Sequence, residues 1–269
     1  MEFISQGFND TLLVVNYSLL MLMYGFVIVV ASLQYAVKAI GVRDLLAKLG
    51  INELAPKTLI NLYGPPMVGK SCLAVKLANE LSDKVTIFGI EPAYEEERYV
   101  RFLKGYGDFN LRLVKRFEQV REELKQVKEG VVIVDSASSL ADRISEYYIA
   151  KGYDIRVVTA RVVPMLRSLA FMLRQWVNYH NTIGIIITHA TSTAGSFIYR
   201  GVSNLKPSFC MRAGHYIDYE LLLEIANANG NRQSSIRQLT VVAARMEPWL
   251  EGRKVKFKFK NKTIEVKEQ

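Results

Sequence analysis

Residues 64–71 read Gly-Pro-Pro-Met-Val-Gly-Lys-Ser, the pattern G-x-x-x-x-G-K-S, and no other stretch narrows the possible folds as much. An apolar run, Thr58 to Tyr63, precedes it, and a run with helical spacing, Cys72 to Ala78, follows. A strand that delivers the chain to such a loop, with a helix directly after it, aims successive backbone N–H groups at one point. The helix N-terminus adds partial positive charge there, so the loop is a cradle for a phosphate chain. Gly64, Pro65, Pro66, Met67, Val68, Gly69, Lys70, Ser71 and Cys72 are therefore expected to bind nucleotide. Lys70 would reach the β and γ phosphates, and the Ser71 hydroxyl would ligate Mg²⁺. The competing reading, a glycine-rich turn capping a helix, does not require Lys followed by Ser at that place.

The rest of the chain supplies strands for a parallel sheet. Lys84 to Ile90 is short and β-branched, as a buried parallel strand should be, and Glu91 follows it. Strand carboxyl ends in open α/β sheets face the ligand, so Glu91 is placed to orient and deprotonate a water attacking the γ phosphorus. Glu95, Glu96 and Glu97 come soon after, and a solvated acidic loop is the alternative reading. Val131 to Val134 is wholly apolar and ends at Asp135, where a carboxylate can hold Mg²⁺ opposite Ser71. Thr182 to His189 is a further strand, with Thr188 or His189 as candidates to sense the γ phosphate.

Asn110 to Val114 reads as a strand, and Phe117 to Lys128 and Val157 to His180 as helices. Residues 145–154 break the apolar pattern, and residues 190–213 show no period, a length that is functional or disordered in a compact domain. Tyr216 to Ile225 and Ile236 to Arg245 alternate like antiparallel strands. In the closing run Val255, Phe257 and Phe259 share one face while Lys254, Lys256, Lys258 and Lys260 share the other. That reads as an edge strand guarded by lysines, or as a stripe that touches phosphates.

The formal net charge of +9 favours a polyanionic partner, either nucleic acid or an anionic membrane face. Cys72 and Cys210 form no disulfide framework or zinc motif, which fits a reducing compartment. Residues 11–37 carry no charge; as a helix rising about 1.5 Å per residue they can cross a hydrocarbon core about 30 Å thick. Glu2 and Asp10 precede the segment while Lys38, Arg43 and Lys48 follow it, which orients everything after Lys38 to the cytoplasm. A signal peptide would begin with basic residues, and a helix this long that is apolar all round seldom fits inside a globular domain. A true start nearer Gly41 would remove the segment altogether.

Taken in order, these segments resemble the RecA superfamily of ATPases, and within it the archaeal RadA/RadB recombinase-like family, with a RadB-like core. The likeness runs from about Gly41 to the C-terminus and is carried by YGPPMVGKS, IEPAYEEERY, VVIVDSASSL, SEYYIAKGYDIR, ITHAT, RAGHYIDY and ARMEPWLEGRKVKFKF. The resemblance implies an α/β core whose mostly parallel sheet is flanked by helices and ends in antiparallel strands. Such a core binds and hydrolyses ATP with Mg²⁺, assembles head to tail, and engages DNA, single-stranded by preference, in repair or recombination.

By position, the resemblance implies catalytic roles for Glu91, Lys70 and Arg245, the last reaching a neighbour's ATP, and a place for Arg98 beside the nucleotide. Mg²⁺ would sit on Ser71 and Asp135; DNA would meet Lys151 and Arg156 in one loop, Arg200 and Lys206 in another. Several positions depart from the family. His189-Ala190 stands where the recombinases have Asn-Gln, Ala243-Ala244-Arg245 keeps one cation of a pair, and Met67-Val68 replaces small residues. No clear Phe-x-x-Ala polymerisation motif is seen. Nucleotide binding with slow hydrolysis is the expectation, and DNA stimulation is weakened.

The expected organisation is an external tail at 1–10, a single membrane-spanning helix at 11–37, an amphipathic lead-in at 38–56 and a cytoplasmic ATPase domain at 57–269. In the lead-in, Val42, Leu45, Leu46 and Leu49 recur at helical spacing and Gly50 is placed to cap. The alternative function is a KaiC-like, nucleotide-gated signalling or scaffold ATPase at the membrane that does not touch DNA.

Overall fold

The computed structural model describes residues 39–192, 201–208, 214–226, 236–260 and 262–266. The segment at 11–37 and Arg200 lie outside them, and among the described residues no helix is long and apolar enough to cross a membrane.

One sheet runs through the described residues. Across it the strands lie in the order β1 (Ala39–Ile40), β11 (Thr263–Val266), β10 (Lys254–Lys260), β9 (Arg237–Ala244) and β8 (Tyr219–Ile225), followed by β2 (Thr58–Gly64). Then come β6 (Ile183–Ser192), β5 (Val131–Asp135), β3 (Val85–Gly89) and β4 (Asn110–Leu113), with β7 (Leu205–Pro207) paired to β6. Neighbours from β4 to β8 are parallel, and from β8 to β1 they are antiparallel.

Apart from its edge strand β4, the parallel half is buried on both faces. Side chains alternate along each strand, so Ile133 packs with helices α1 (Val42–Lys48), α2 (Lys70–Leu81) and α3 (Glu97–Lys104). Val132 and Val134 pack on the other side with α4 (Phe117–Gln126), α5 (Ala137–Ala150) and α6 (Ile155–His180). Two-sided burial is why these strands are unbroken apolar runs. Each such side chain contributes about 1.5–3 kcal/mol by leaving water. In the antiparallel half Leu239, Val241, Val255, Phe257 and Ile264 join the first cluster, while on the other face Leu222 and Val242 form a small cluster with Tyr63 that Val202 and Leu205 cover.

Residues 39–49 are fastened to the core. The Glu80 carboxylate on α2 accepts the N–H groups of Val42 and Arg43, both at 2.8 Å, so it caps the start of α1. At its other end Gly50, at φ 88°, lets its own N–H reach Ala47 O while Ile51 N–H reaches Leu46 O. That left-handed residue closes the last turn of the helix.

Some elements depart from the sequence reading. Residues 145–150 continue α5, with the Ser145 hydroxyl bonded back to Ala141 O at 2.8 Å. Residues 190–192 extend β6, and β7 folds back on them. The lysine-bearing β10 is an interior strand, because β11 and then β1 add beyond it. Those two outer strands are too short, at four and two residues, to show a period.

Candidate nucleotide-binding site

β2 enters the loop at Gly64, where a Cβ would meet Leu223 O at 2.0 Å, so the close approach of β8 demands glycine. Val68 is buried beneath the loop, while Met67, at φ 63°, is 75% exposed at its tip. Gly69, at φ 97°, turns the chain into α2, which leaves the first amides of the helix facing the cavity mouth. Met67 and Val68 are thus accommodated by one turning out and the other in.

A cavity of about 1160 Å³ opens at the carboxyl ends of the parallel strands. Lys70, Ser71, Glu91, Asp135 and His189 all line it. The Lys70 ammonium is folded back on its own loop, donating to Gly64 O at 3.0 Å and Pro65 O at 2.8 Å. Burial lowers its pKa, and the charges of Asp135 and Glu91 oppose that shift.

Asp135, 1% exposed, accepts a hydrogen bond from Tyr94 Oη at 2.6 Å. Burial and the nearby Glu91 charge push its pKa up to about 6, while Ser71, Tyr94 and Lys70 hold it down. Burial pushes the Glu91 carboxyl up, but hydrogen bonds from His189 and Ser136 and the charges of His189 and Lys70 outweigh it, and its pKa is lowered. The His189 bond, Nε2 to Glu91 Oε1, is 3.0 Å long.

The His189 backbone is tied to α5 and to the residue that follows β7. Its N–H donates to Ser138 Oγ at 2.8 Å, its carbonyl accepts Ser208 N–H at 2.9 Å, and the Ser138 and Ser208 hydroxyls lie 2.7 Å apart. Thr188 faces the other way, as strand alternation requires. It is buried and bonds Asn61 Oδ1 at 3.1 Å, so it does not reach the cavity.

One wall of the cavity is aromatic. Tyr99 and Phe102 stack at 6.5 Å, Phe102 meets Tyr106 edge-on at 5.5 Å, and Tyr106 meets Phe259 of β10 at 5.7 Å. The Arg237 guanidinium lies over the Phe259 ring at 4.9 Å, with its Nε bonded to Val68 O. Sequence reasoning missed this wall. Tyr99, Phe102 and Tyr106 fall on one helical face, a period masked by the acidic run before them. Cys72 lies beneath, its thiol pushed up to about 12 chiefly by burial.

Other expected residues fall elsewhere. Arg98 is exposed on α3 and does not line the cavity, because Tyr99 takes the inward position. Lys151 and Arg156 are exposed at the α5–α6 turn among Tyr147, Tyr148 and Tyr153, with Lys151 over the Tyr147 ring at 4.4 Å. Lys206 lies in β7. Arg245 follows β9 at the end of the sheet opposite the phosphate loop, where its side chain bonds His215 O at 2.7 Å.

A phosphate loop at the end of a parallel strand, with a strand-end aspartate beside it, defines a P-loop ATPase core. The AAA domain family matches residues 45–190, and the chain belongs to that family. Among solved structures, one described as the crystal structure of the RadB recombinase matches with a TM-score of 0.56. It is 21% identical, over 83% of this chain and 96% of that one, a likeness that shows the RecA-like fold. No curated protein sequence matches.

Proposed function

We propose that the chain binds ATP with Mg²⁺ and hydrolyses it slowly. The observation that supports this most is the convergence of Lys70, Ser71, Glu91 and Asp135 on one cavity. The donors fit the metal. The Ser71 hydroxyl and the Asp135 carboxylate both line the cavity, which gives two hard oxygens, and Mg²⁺ would take its other ligands from phosphates and water. Among the described residues no group of three or more His, Cys, Asp or Glu competes with that arrangement. Bound there, Mg²⁺ would supply charge neutralisation on the phosphates.

The protein's own residues do the remaining work. Lys70 swings from its loop carbonyls to the phosphates, and loop amides hold them in place. Glu91, ionised near neutrality, accepts the proton of the attacking water while His189 orients it. The aromatic wall packs on the base. Arg245 acts on the ATP of a neighbour in a head-to-tail assembly.

The same reading has DNA, single-stranded by preference, meeting Lys151 and Arg156, where cations alternate with exposed Tyr147 and Tyr153. Lys206 and Arg200 join from the second loop, in a repair or recombination setting. Residues 11–37 anchor the chain in the cell membrane, with the ATPase domain in the cytoplasm. Turnover of the full chain with and without single-stranded DNA tests the reading. ATP hydrolysis raised by DNA is expected; hydrolysis indifferent to DNA, with no DNA affinity at low salt, favours a KaiC-like signalling role.

A further inference from the structure

We infer that Tyr94 is a positioning residue for the metal: it holds one oxygen of Asp135, leaves the other as a single-oxygen ligand, and so favours Mg²⁺ over Ca²⁺. The inference rests on the reading of the cavity as a site for ATP with Mg²⁺.

Several features seat the tyrosine. Gly89 and Asp135 stand side by side in the register of β3 and β5. A Cβ at Gly89 would come within 2.7 Å of Tyr94 Cγ, so glycine is what lets the ring lie across the end of β3 beside Asp135. Tyr94 reaches that place from a single 3-10 turn, Pro92–Glu95, and its N–H donates to Glu91 O at 3.1 Å. The candidate base and the tyrosine that holds the candidate metal ligand thus belong to one turn. Tyr99 meets the Tyr94 ring edge-on at 5.3 Å, and the ring is buried.

The hydroxyl engages one atom. Tyr94 Oη donates to Asp135 Oδ2 at 2.6 Å, the short distance of a hydrogen bond to a charged acceptor. A carboxylate pinned in this way can give Oδ1 to a cation, or to water on it, and can give both oxygens only by losing the bond. The two cations differ in what they ask. Mg²⁺ demands a near-ideal octahedron at about 2.0–2.1 Å, while Ca²⁺ takes about 6–8 oxygens at about 2.3–2.6 Å and accepts both oxygens of a carboxylate. A fixed single-oxygen ligand suits the first and denies the second a contact. Partners that orient a metal ligand are worth about 10–100-fold in metal affinity.

The test is calorimetric titration of the full chain with the non-hydrolysable ATP analogue AMP-PNP, in Mg²⁺, in Ca²⁺ and in EDTA. The unaltered chain should bind the analogue about tenfold more tightly with Mg²⁺ than with Ca²⁺. Tyr94→Phe keeps the ring and removes the hydroxyl. It should weaken binding with Mg²⁺ by about tenfold, leave binding with Ca²⁺ level or stronger, and leave binding in EDTA unchanged. Gly89→Ala, which displaces the ring and keeps the hydroxyl, should move the ratio the same way. A Mg²⁺-to-Ca²⁺ ratio unmoved by Tyr94→Phe overturns the inference, as does equal weakening in all three conditions, the mark of a merely structural tyrosine. Uptake by the unaltered chain without cation preference removes the inference alone. No uptake in any condition removes the ATP reading with it.

Discussion

In β5 all five residues are buried, whereas in β10 burial alternates and Lys254 and Lys260 lie exposed. The parallel half is enclosed by helices on both faces, and its strands end together at the cavity. In the antiparallel flank β9 is still buried on both faces, with Val241 in the first cluster and Val242 packed by Val202 and Leu205, and it is β10, farther out, that buries one face and offers the other to solvent. The flank's share in the site is a wall, Arg237, Phe259 and the lysines beside them, rather than the phosphate grip. Two-sided burial fixes strand ends to the accuracy that chemistry needs, and one-sided burial leaves a surface for a partner.

The comparison can be broken at several points. The largest expected effect is on turnover: Glu91→Gln should leave ATP binding intact and slow hydrolysis by about 10²–10⁴-fold, the usual worth of a general base. Unchanged hydrolysis would remove Glu91 from the mechanism. Next comes stability in the enclosed half. Ile133→Ala, at a position 1% exposed, should lower unfolding stability by about 2–5 kcal/mol, read from the urea midpoint at constant m-value.

His189→Ala sharpens the picture of the strand ends. The His189 bond helps to lower the Glu91 pKa, so its loss lets that pKa rise. Glu91 then becomes protonated at a higher pH than before, and the acid limb of the pH–rate profile should move upward. An unmoved limb would mean that His189 does not tune Glu91. In the flank the expected effects are smaller. Phe259→Ala should weaken ATP affinity by about 0.5–1.5 kcal/mol through a lost ring contact, with turnover of bound ATP retained. Lys254→Ala should change unfolding stability by no more than about 0.5 kcal/mol.

The same contrast explains what could be read from the sequence. Strands buried on both faces announce themselves as apolar runs, and each run from Thr58, Lys84, Val131 and Thr182 starts within a residue of a parallel strand. The phosphate loop and Asp135 follow from those boundaries.

Elsewhere the signal is weak. The interior place of β10 depends on short partners, one of them 214 residues or more away in the chain at Ala39–Ile40, and no local pattern encodes that pairing. Thr188 and His189 are alternative γ-phosphate candidates in the sequence because a strand end cannot be located to one residue from sequence. One step along the strand decides which of the two faces the cavity. Arg98 gives way to Tyr99 for the same kind of reason, a small rotation about a helix axis. The His189–Glu91 bond joins residues 98 apart in sequence, and only the fold brings them together.

Everything above depends on the loop around Lys70 gripping a triphosphate, and calorimetric titration of the full chain with ATP and Mg²⁺ addresses that directly. One ATP should bind per chain, and Lys70→Ala should abolish the binding heat while leaving the urea unfolding profile in place. No ATP uptake by the unaltered protein, or equal uptake by the variant, would contradict the account.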